Sequence, residues 1–433
     1  MNVNRCLLDF IRQCPAAYQT VDTARKMLLE HGFRELNEAE RWNLKPDDCC
    51  FVTRNGSSLI AFRLPSQPPL GFMIGGCHSD SPAFRLKPEP EITSEHCVVL
   101  NVEQYGGMLF HTWFDRPLTI GGRVTVRTPE GTDTRNIYID RDLLVLPSIA
   151  IHMDRQFNSG HAYAVQKELK PLFRLDSSAL TFHKLIAEEA GAEEADVLSY
   201  DLFLCPRTPG FLYGVEEEFL CAPRIDDLQC AFALLQGFLM SEPSASVPVF
   251  ALFDNEEIGS NTRQGALGTF LDDVMTRIMV DLDVPREARY TMTAHSFLVS
   301  ADNAHAVHPN FPEKADPTSK PMLNGGIVIK YSGSGKYASD SVSAGLFREL
   351  CMRSEVPVQT FANHADNPGG STLGRFIASG LNIRTVDVGL PQLAMHSCAE
   401  TAGSKDTEYL IRAMKEFYAS SLQVNGSTMK LAG

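Results

Sequence analysis

Two adjacent acids, Glu256 and Glu257, stand where an apolar run gives out, in Asp254-Asn255-Glu256-Glu257-Ile258-Gly259-Ser260. The run itself, Val247-Pro248-Val249-Phe250-Ala251-Leu252-Phe253, is rich in β-branched and aromatic residues and reads as a buried strand. The carboxyl edge of an open α/β sheet is where such proteins bind ligands. Neighbouring side chains there point in different directions, so one glutamate can hold a metal while the other handles a proton. That division of labour is the chemistry of a metal-dependent hydrolase. Four more segments share the same grammar of apolar residues followed by a ligand-type side chain. They are His78 in Cys77-His78-Ser79-Asp80-Ser81-Pro82, Asp226 in Arg224-Ile225-Asp226-Asp227, Asp302 after Phe297-Leu298-Val299-Ser300-Ala301, and His396 in Leu393-Ala394-Met395-His396-Ser397. Two histidines and several carboxylates without cysteine make a mixed nitrogen and oxygen set suited to zinc, manganese or cobalt. With one carboxylate shared, such a set can hold two ions about 3.5 Å apart. Asp80, two residues past His78, is placed to accept that ring's second N–H and fix its tautomer. Each of these residues alone reads as structural; together they read as a site.

The elements that must bring these residues together are legible as an α/β rhythm with an interruption. Residues 7–33 carry helical periodicity, with Gly32 as a stop. Short strand-like pieces follow at 50–54 and 58–62, and the run 70–77 leads straight into His78. From about 92 to 220 the texture changes to alternating patterns such as Arg123-Val124-Thr125-Val126-Arg127 and Asn136-Ile137-Tyr138-Ile139, which predict β-structure between turns. The charged stretch 187–196 predicts an exposed helix or loop. After Pro223 the α/β rhythm resumes with a buried helix over 228–240, Asp226 or Asp227 standing near its N-cap. Strands are expected at 247–253, 277–282, 296–301, 326–331 and 382–388, and a closing helix over about 407–422. The simplest architecture is one α/β domain interrupted by a β-rich insertion. No internal repeats are visible.

Composition bounds the function. At 433 residues, two domains are the natural expectation. A net charge of −14 argues against nucleic acid, whose phosphates demand a basic surface, and means that any acidic substrate needs a local cation. No run of about 18 apolar residues predicts a membrane span. The first residues lack the long apolar core and cleavage site of a secretory signal, and the 11 scattered cysteines contain no Cys-x-x-Cys pair, which predicts reduced thiols in the cytoplasm.

The chain resembles the aspartyl aminopeptidase family of metallopeptidases, M18. The matching strings are His78-Ser79-Asp80-Ser81-Pro82, Trp113-Phe114-Asp115-Arg116-Pro117-Leu118, Ile151-His152-Met153-Asp154-Arg155, Pro223-Arg224-Ile225-Asp226, Asp254 to Ser260, Ser300 to Asn310, and Pro391 to Ser397. They span most of the chain in family order. The resemblance implies a zinc-peptidase-like α/β/α catalytic domain, residues 1–91 plus 222–433, with an inserted β-rich dimerisation domain, 92–221. It implies that His78 and Asp302 hold one metal, Glu257 and His396 the other, and that Asp226 bridges both. Glu256 would be the general base and Asp80 the partner of His78. His152, on the inserted domain, would reach the active site of a neighbouring subunit and help stabilise the oxyanion. Lys330 and Tyr337, in Val328-Ile329-Lys330-Tyr331 and Lys336-Tyr337-Ala338-Ser339, would receive an N-terminal Asp or Glu; the competing reading of Lys330 is a strand-edge lysine facing water. Asp227 departs from the asparagine many relatives carry. The expected activity is removal of N-terminal residues, preferentially acidic, from peptides, by a homo-oligomer of dimers gathered into a dodecamer.

Other classes fit less well. There is no Gly-x-Ser-x-Gly string for a nucleophilic serine, and Gly333-Ser334-Gly335-Lys336 lacks the first glycine of a P-loop. A dinuclear carboxypeptidase or amide deacylase, or a non-catalytic interaction protein, are the alternatives. His305 and His308 are expected as hydrogen-bonding or capping groups near Asp302.

Overall fold

The computed structural model describes residues 2–367 and 369–433. Its centre is a nine-stranded sheet in the order Arg34–Leu36, Cys49–Arg54, Ser58–Arg63, Val247–Phe253, Phe72–His78, Phe297–Ala301, Arg384–Gly389, Ile327–Tyr331 and Val358–Ala362. The middle four strands run parallel, with Phe253 paired to His78 and Ala301 to Val388 at their carboxyl ends. The apolar run before Glu256 is continuous because both faces of the sheet are covered. Val247, Val249, Ala251 and Phe253 face one helical layer, with Phe270, Val274 and Ile278. Phe250 and Leu252 face the other, with Leu228, Leu235, Met414 and Phe417. The two-residue period of a strand thus divides one sequence between two cores. The result is a mixed α/β fold with helices on both faces of the sheet.

A second, six-stranded antiparallel sheet contains Gly131–Tyr138, Leu118–Thr128, Val197–Pro206, Ala83–Ser94, Cys97–Tyr105 and Leu172–Leu175. It has its own core around Phe84, Trp113, Ile120 and Phe182. The strand Ala83–Ser94 runs across residue 92, so the β-rich sheet starts earlier in the chain than the change of texture at 92. A five-stranded sheet includes Phe219–Ala222, which precedes Asp226 in the chain, and Pro391–Leu393 and Glu400–Gly403, which flank His396.

Three expectations need correction. The single helix over 7–33 is two, Val3–Gln13 and Ala17–Glu30, separated at Cys14-Pro15-Ala16. Pro15 lacks an N–H and its ring clashes with the preceding turn, and Ala16 is extended at φ −150°. The strand expected at 277–282 is the end of the helix Phe270–Asp281. Phe270, Leu271, Val274, Met275, Ile278 and Met279 bury one face at helical spacing, and that longer period outweighs the local β-branched residues. The closing helix stops at Ala419, and Leu422 belongs to a hairpin strand, Ser421–Asn425. The buried helix is assigned to Ile225–Met240, but Asp226 and Asp227 have non-helical dihedrals, so the regular turns begin at Leu228.

Candidate metal centre

His78, the Glu256-Glu257 pair and Asp302 follow strands of the central sheet, whereas Asp226 stands at the start of a helix and His396 lies between two strands of the five-stranded sheet. His78 is the last residue of its strand, and Asp302 directly follows Ala301. Glu256 and Glu257 open a single 3-10 turn after Asn255, whose left-handed φ of 63° reverses the chain out of the sheet. Asp226, extended at φ −79° and ψ 112°, projects from the start of its helix instead of winding into it.

These residues converge. Asp226 Oδ1 lies 3.5 Å from His78 Nε2, while Asp226 Oδ2 lies 3.4 Å from His396 Nε2. His396 Nε2 is also 3.4 Å from Glu257 Oε1. Two groups of three share Asp226, with His78 and Asp302 on one side and Glu257 and His396 on the other; donor atoms within each group lie within 4.8 Å of one another. His78 also groups with Glu256 and Glu257. The spacings are long for hydrogen bonds. They fit donors around a common ion, since tetrahedral ligands at about 2.0–2.1 Å from a metal stand about 3.4 Å apart. Buried oxygens at Asp226 Oδ1 and Glu257 Oε1 have no hydrogen-bond partner. An unpaired buried carboxylate oxygen is costly, and a cation removes that cost. The donor set and its geometry therefore fit divalent metal.

Electrostatics supports the same view. Burial pushes the Glu256 carboxyl up to about 8, with Asp302, Asp80 and Asp226 adding to it. Burial likewise raises Glu257 well above the usual range and raises Asp302. For His396 burial opposes the charged ring, but Asp226 and Glu257 outweigh it and push the ring up to about 10. Burial also opposes charge on His78, which Asp226 and Asp80 overcome. Asp226 is the exception among the acids: burial acts against its charge, yet His396 and His78 hold it far below the carboxylate range.

Three buried carboxylates hold the site by its main chain. Asp80 accepts the Glu256 N–H at 3.1 Å and the Glu257 N–H at 3.2 Å. Glu400 accepts the N–H of Asp226 at 2.9 Å and of His396 at 2.6 Å. Asp227 Oδ2 accepts the His78 N–H at 3.1 Å. The expected contact between His78 and the Asp80 carboxylate is instead made mainly by the main chain: His78 Nδ1 is 3.0 Å from the Asp80 carbonyl and 3.4 Å from Oδ1. A carbonyl only accepts, so Nδ1 carries the hydrogen and Nε2 is left to face Asp226.

A cavity of about 490 Å³ opens on Asp226, Glu256, Glu257 and Asp302 and reaches Lys330 and Tyr337. Lys330 is not a strand-edge residue facing water. It is 3% exposed, with Nζ 3.6 Å from Asp302 Oδ1, 2.8 Å from the Asn303 carbonyl and 5.6 Å from the Tyr337 ring centroid. Burial opposes its charge, but Asp302 more than compensates and keeps it protonated. His305 lines the same cavity against Phe361, whereas His308 accepts the N–H of Asn310. His152 is not brought to the cluster. It is exposed in a turn between Ile151 and Met153, themselves 47% and 78% exposed.

Glu400, Tyr105 and Asn255 were not singled out from the sequence. Glu400 had a faint signal, four residues past His396; a tyrosine ending a strand has none.

The family model described as aminopeptidase I zinc metalloprotease (M18) matches residues 10–418. A probable M18 family aminopeptidase 2 of Clostridium novyi (strain NT) is 42% identical over 421 residues, 95% of this chain and 97% of the relative. Among solved structures, one from a complex of Ape4 and Nbr1 superposes with a TM-score of 0.92 at 35% identity, covering 96% of this chain and 85% of that one. The S. cerevisiae mApe1 dodecamer superposes with a TM-score of 0.85 at 29% identity, covering 96% of each chain.

Proposed function

The chain belongs to the M18 family of metallo-aminopeptidases, and from that premise we propose a dinuclear centre that removes N-terminal residues, preferentially Asp or Glu, from peptides. His78, Asp302 and Asp226 would hold one ion, and Glu257, His396 and Asp226 the other. Zinc is the favoured metal, with manganese or cobalt tolerated by the same donors. Bound divalent ions would supply the Lewis acidity that acidifies an attacking water and polarises the scissile carbonyl.

The remaining work belongs to the protein. Glu256 would take the proton of the attacking water and return it to the leaving amine. Asp80 fixes the direction of Glu256 through its main-chain N–H. The free α-amine of the substrate lies among carboxylates, which selects a chain end over an internal peptide bond. Lys330 and Tyr337 line the part of the cavity where the first side chain would lie. The ammonium of Lys330 attracts an acidic side chain despite the net charge of −14.

His152 would act across a subunit boundary, since its own chain leaves it exposed and away from the cluster. Residues 92–221 would form the pairing domain, and the solved mApe1 dodecamer supports a dodecamer of such dimers. The 11 cysteines are free, which suits the reducing cytoplasm. No helix among the described residues is long and apolar enough to cross a membrane.

One observation carries this reading: Asp226 is shared by two ligand groups beside Glu256 in a single cavity. Hydrolysis of Asp-, Glu- and Leu-anilides, followed while metal is titrated into chelator-treated protein, tests it. Activity should saturate at two equivalents of metal with the acidic substrates preferred. Hydrolysis of N-acylated substrates alone would mean a deacylase.

A further inference from the structure

The strand Cys97–Tyr105 belongs to the second sheet, yet its end and the residues after it wrap the metal centre. Tyr105 donates its hydroxyl to Asp80 Oδ2 at 2.7 Å and accepts from Asn255 Nδ2 at 2.9 Å. Burial, with Asp80 and Asp254 alongside, keeps the phenol protonated, so it remains a donor. Asp80 is the acid that holds the N–H groups of Glu256 and Glu257. Asn255 in turn accepts from Thr262 Oγ1 at 2.9 Å and Gln264 Nε2 at 2.8 Å, which secures the turn that carries both glutamates. The next residue, Gly106, has a φ of +73°, and a Cβ there would lie 3.1 Å from the Cβ of Glu257. Leu109 donates its N–H to the His396 carbonyl at 3.1 Å. Tyr105 is itself braced edge-on against Phe203, another residue of the second sheet, with ring centroids 5.4 Å apart.

We propose that Tyr105 is a positioning residue for the aminopeptidase reaction and that the segment 105–109 is a strap through which the second sheet sets the placement of Glu256, Glu257 and His396. The strap reaches both ligand groups: Tyr105 controls the glutamate turn through Asp80 and Asn255, and Leu109 holds the main chain of His396. Its hydroxyl touches no substrate-facing atom, so its effect falls on the chemical step more than on binding. This inference rests on Glu256 acting as the proton carrier.

Steady-state kinetics and metal content of Tyr105→Phe, measured on the full-length protein beside wild type and Glu256→Gln, test it. The substitution keeps the ring against Phe203 and removes only the hydroxyl. Support for an outer partner of this kind is worth about 10–100-fold. We expect kcat per metal-loaded site to fall by about that factor and KM to stay within about twofold. Unchanged kcat, or a loss of activity that tracks lost metal with unchanged turnover per loaded site, would overturn the proposal. Should Tyr105→Phe fail to fold, Gly106→Ala carries the test: its Cβ presses on Glu257, kcat should fall at least about tenfold with metal retained, and an unaltered kcat would overturn the proposal. If Glu256→Gln keeps wild-type activity, the fault lies in the assigned proton carrier; if Glu256→Gln is inactive while Tyr105→Phe is fully active, the strap alone is wrong.

Discussion

Protons and metal ions compete for the same lone pairs in this centre. Asp226 and Glu257 push His396 up to about 10, and Asp226 and Asp80 raise His78 above its ordinary range, so protons compete with metal for both rings. A metal that binds there must displace those protons, so acidification makes binding more costly. Metal content after dialysis against a weak chelator should therefore fall as pH drops from 8.5 to 5.5, with affinity changing by up to about tenfold per pH unit for each proton released. Retention that is flat across that range would contradict the assignment. Lys330 makes a separate prediction. Replacing it with Met removes the buried cation of the cavity, and losing one partner of such a pair costs about 2–5 kcal/mol. The kcat/KM for an Asp-anilide should fall at least about thirtyfold relative to a Leu-anilide, whereas equal losses on both would assign Lys330 to structure alone. At this scale the convergence of His78, Glu257 and Asp302 was legible because each follows an apolar run. Lys330 was ambiguous because a strand-end lysine looks the same whether it faces water or a cavity; only the position of its strand inside the sheet decides. Tyr105 was illegible because the side chains it bonds, Asp80 and Asn255, lie 25 and 150 residues away, and Glu400 gave only a faint signal because its second partner, the Asp226 N–H, lies 174 residues away.

Among the elements, the helix Ile225–Met240 and the helix Asp406–Ala419 pack closely enough to exclude a methyl group. A Cβ on Gly237 would lie 2.7 Å from the Cβ of Met414 and 3.0 Å from the Lys415 nitrogen. Alanine improves helix propensity by about 1 kcal/mol, but overpacking costs about 1–3 kcal/mol. Because the obstruction includes backbone, Gly237→Ala should lower the urea midpoint, and a raised midpoint would show that the helices separate freely. The first of these helices also carries Asp226, so its seating bears on the site. Strands buried on both faces, such as Val247–Phe253, could be read from their continuous apolar runs. The helix Phe270–Asp281 could not be read from residues 277–282 alone, because the period that defines it begins at Phe270. Pro15 broke the first helix where the apolar spacing alone ran on.

At the scale of the whole molecule, a second sheet is tied to the catalytic edge at Tyr105 and Leu109, while His152 and the apolar residues around it face outward. The alternating strands of that sheet were visible in the sequence as a change of texture, but its pairing order and its contact with Asp80 depend on long-range register. If His152 serves a neighbouring subunit, Glu256→Gln and His152→Phe proteins, each inactive alone, should complement each other when mixed under conditions that exchange subunits. Random pairing in two-fold dimers makes half the dimers mixed, each with one intact site, so about a quarter of wild-type activity should return. No recovery despite demonstrated exchange would place His152 outside any shared site. The sharing of Asp226 between two ions is tested most directly by anomalous diffraction at the zinc edge from zinc-loaded crystals. Two peaks about 3.5–4 Å apart, each within about 2.2 Å of a different Asp226 carboxylate oxygen, are the predicted result. A single peak at full occupancy, or two peaks with only one in contact with Asp226, would contradict the dinuclear centre.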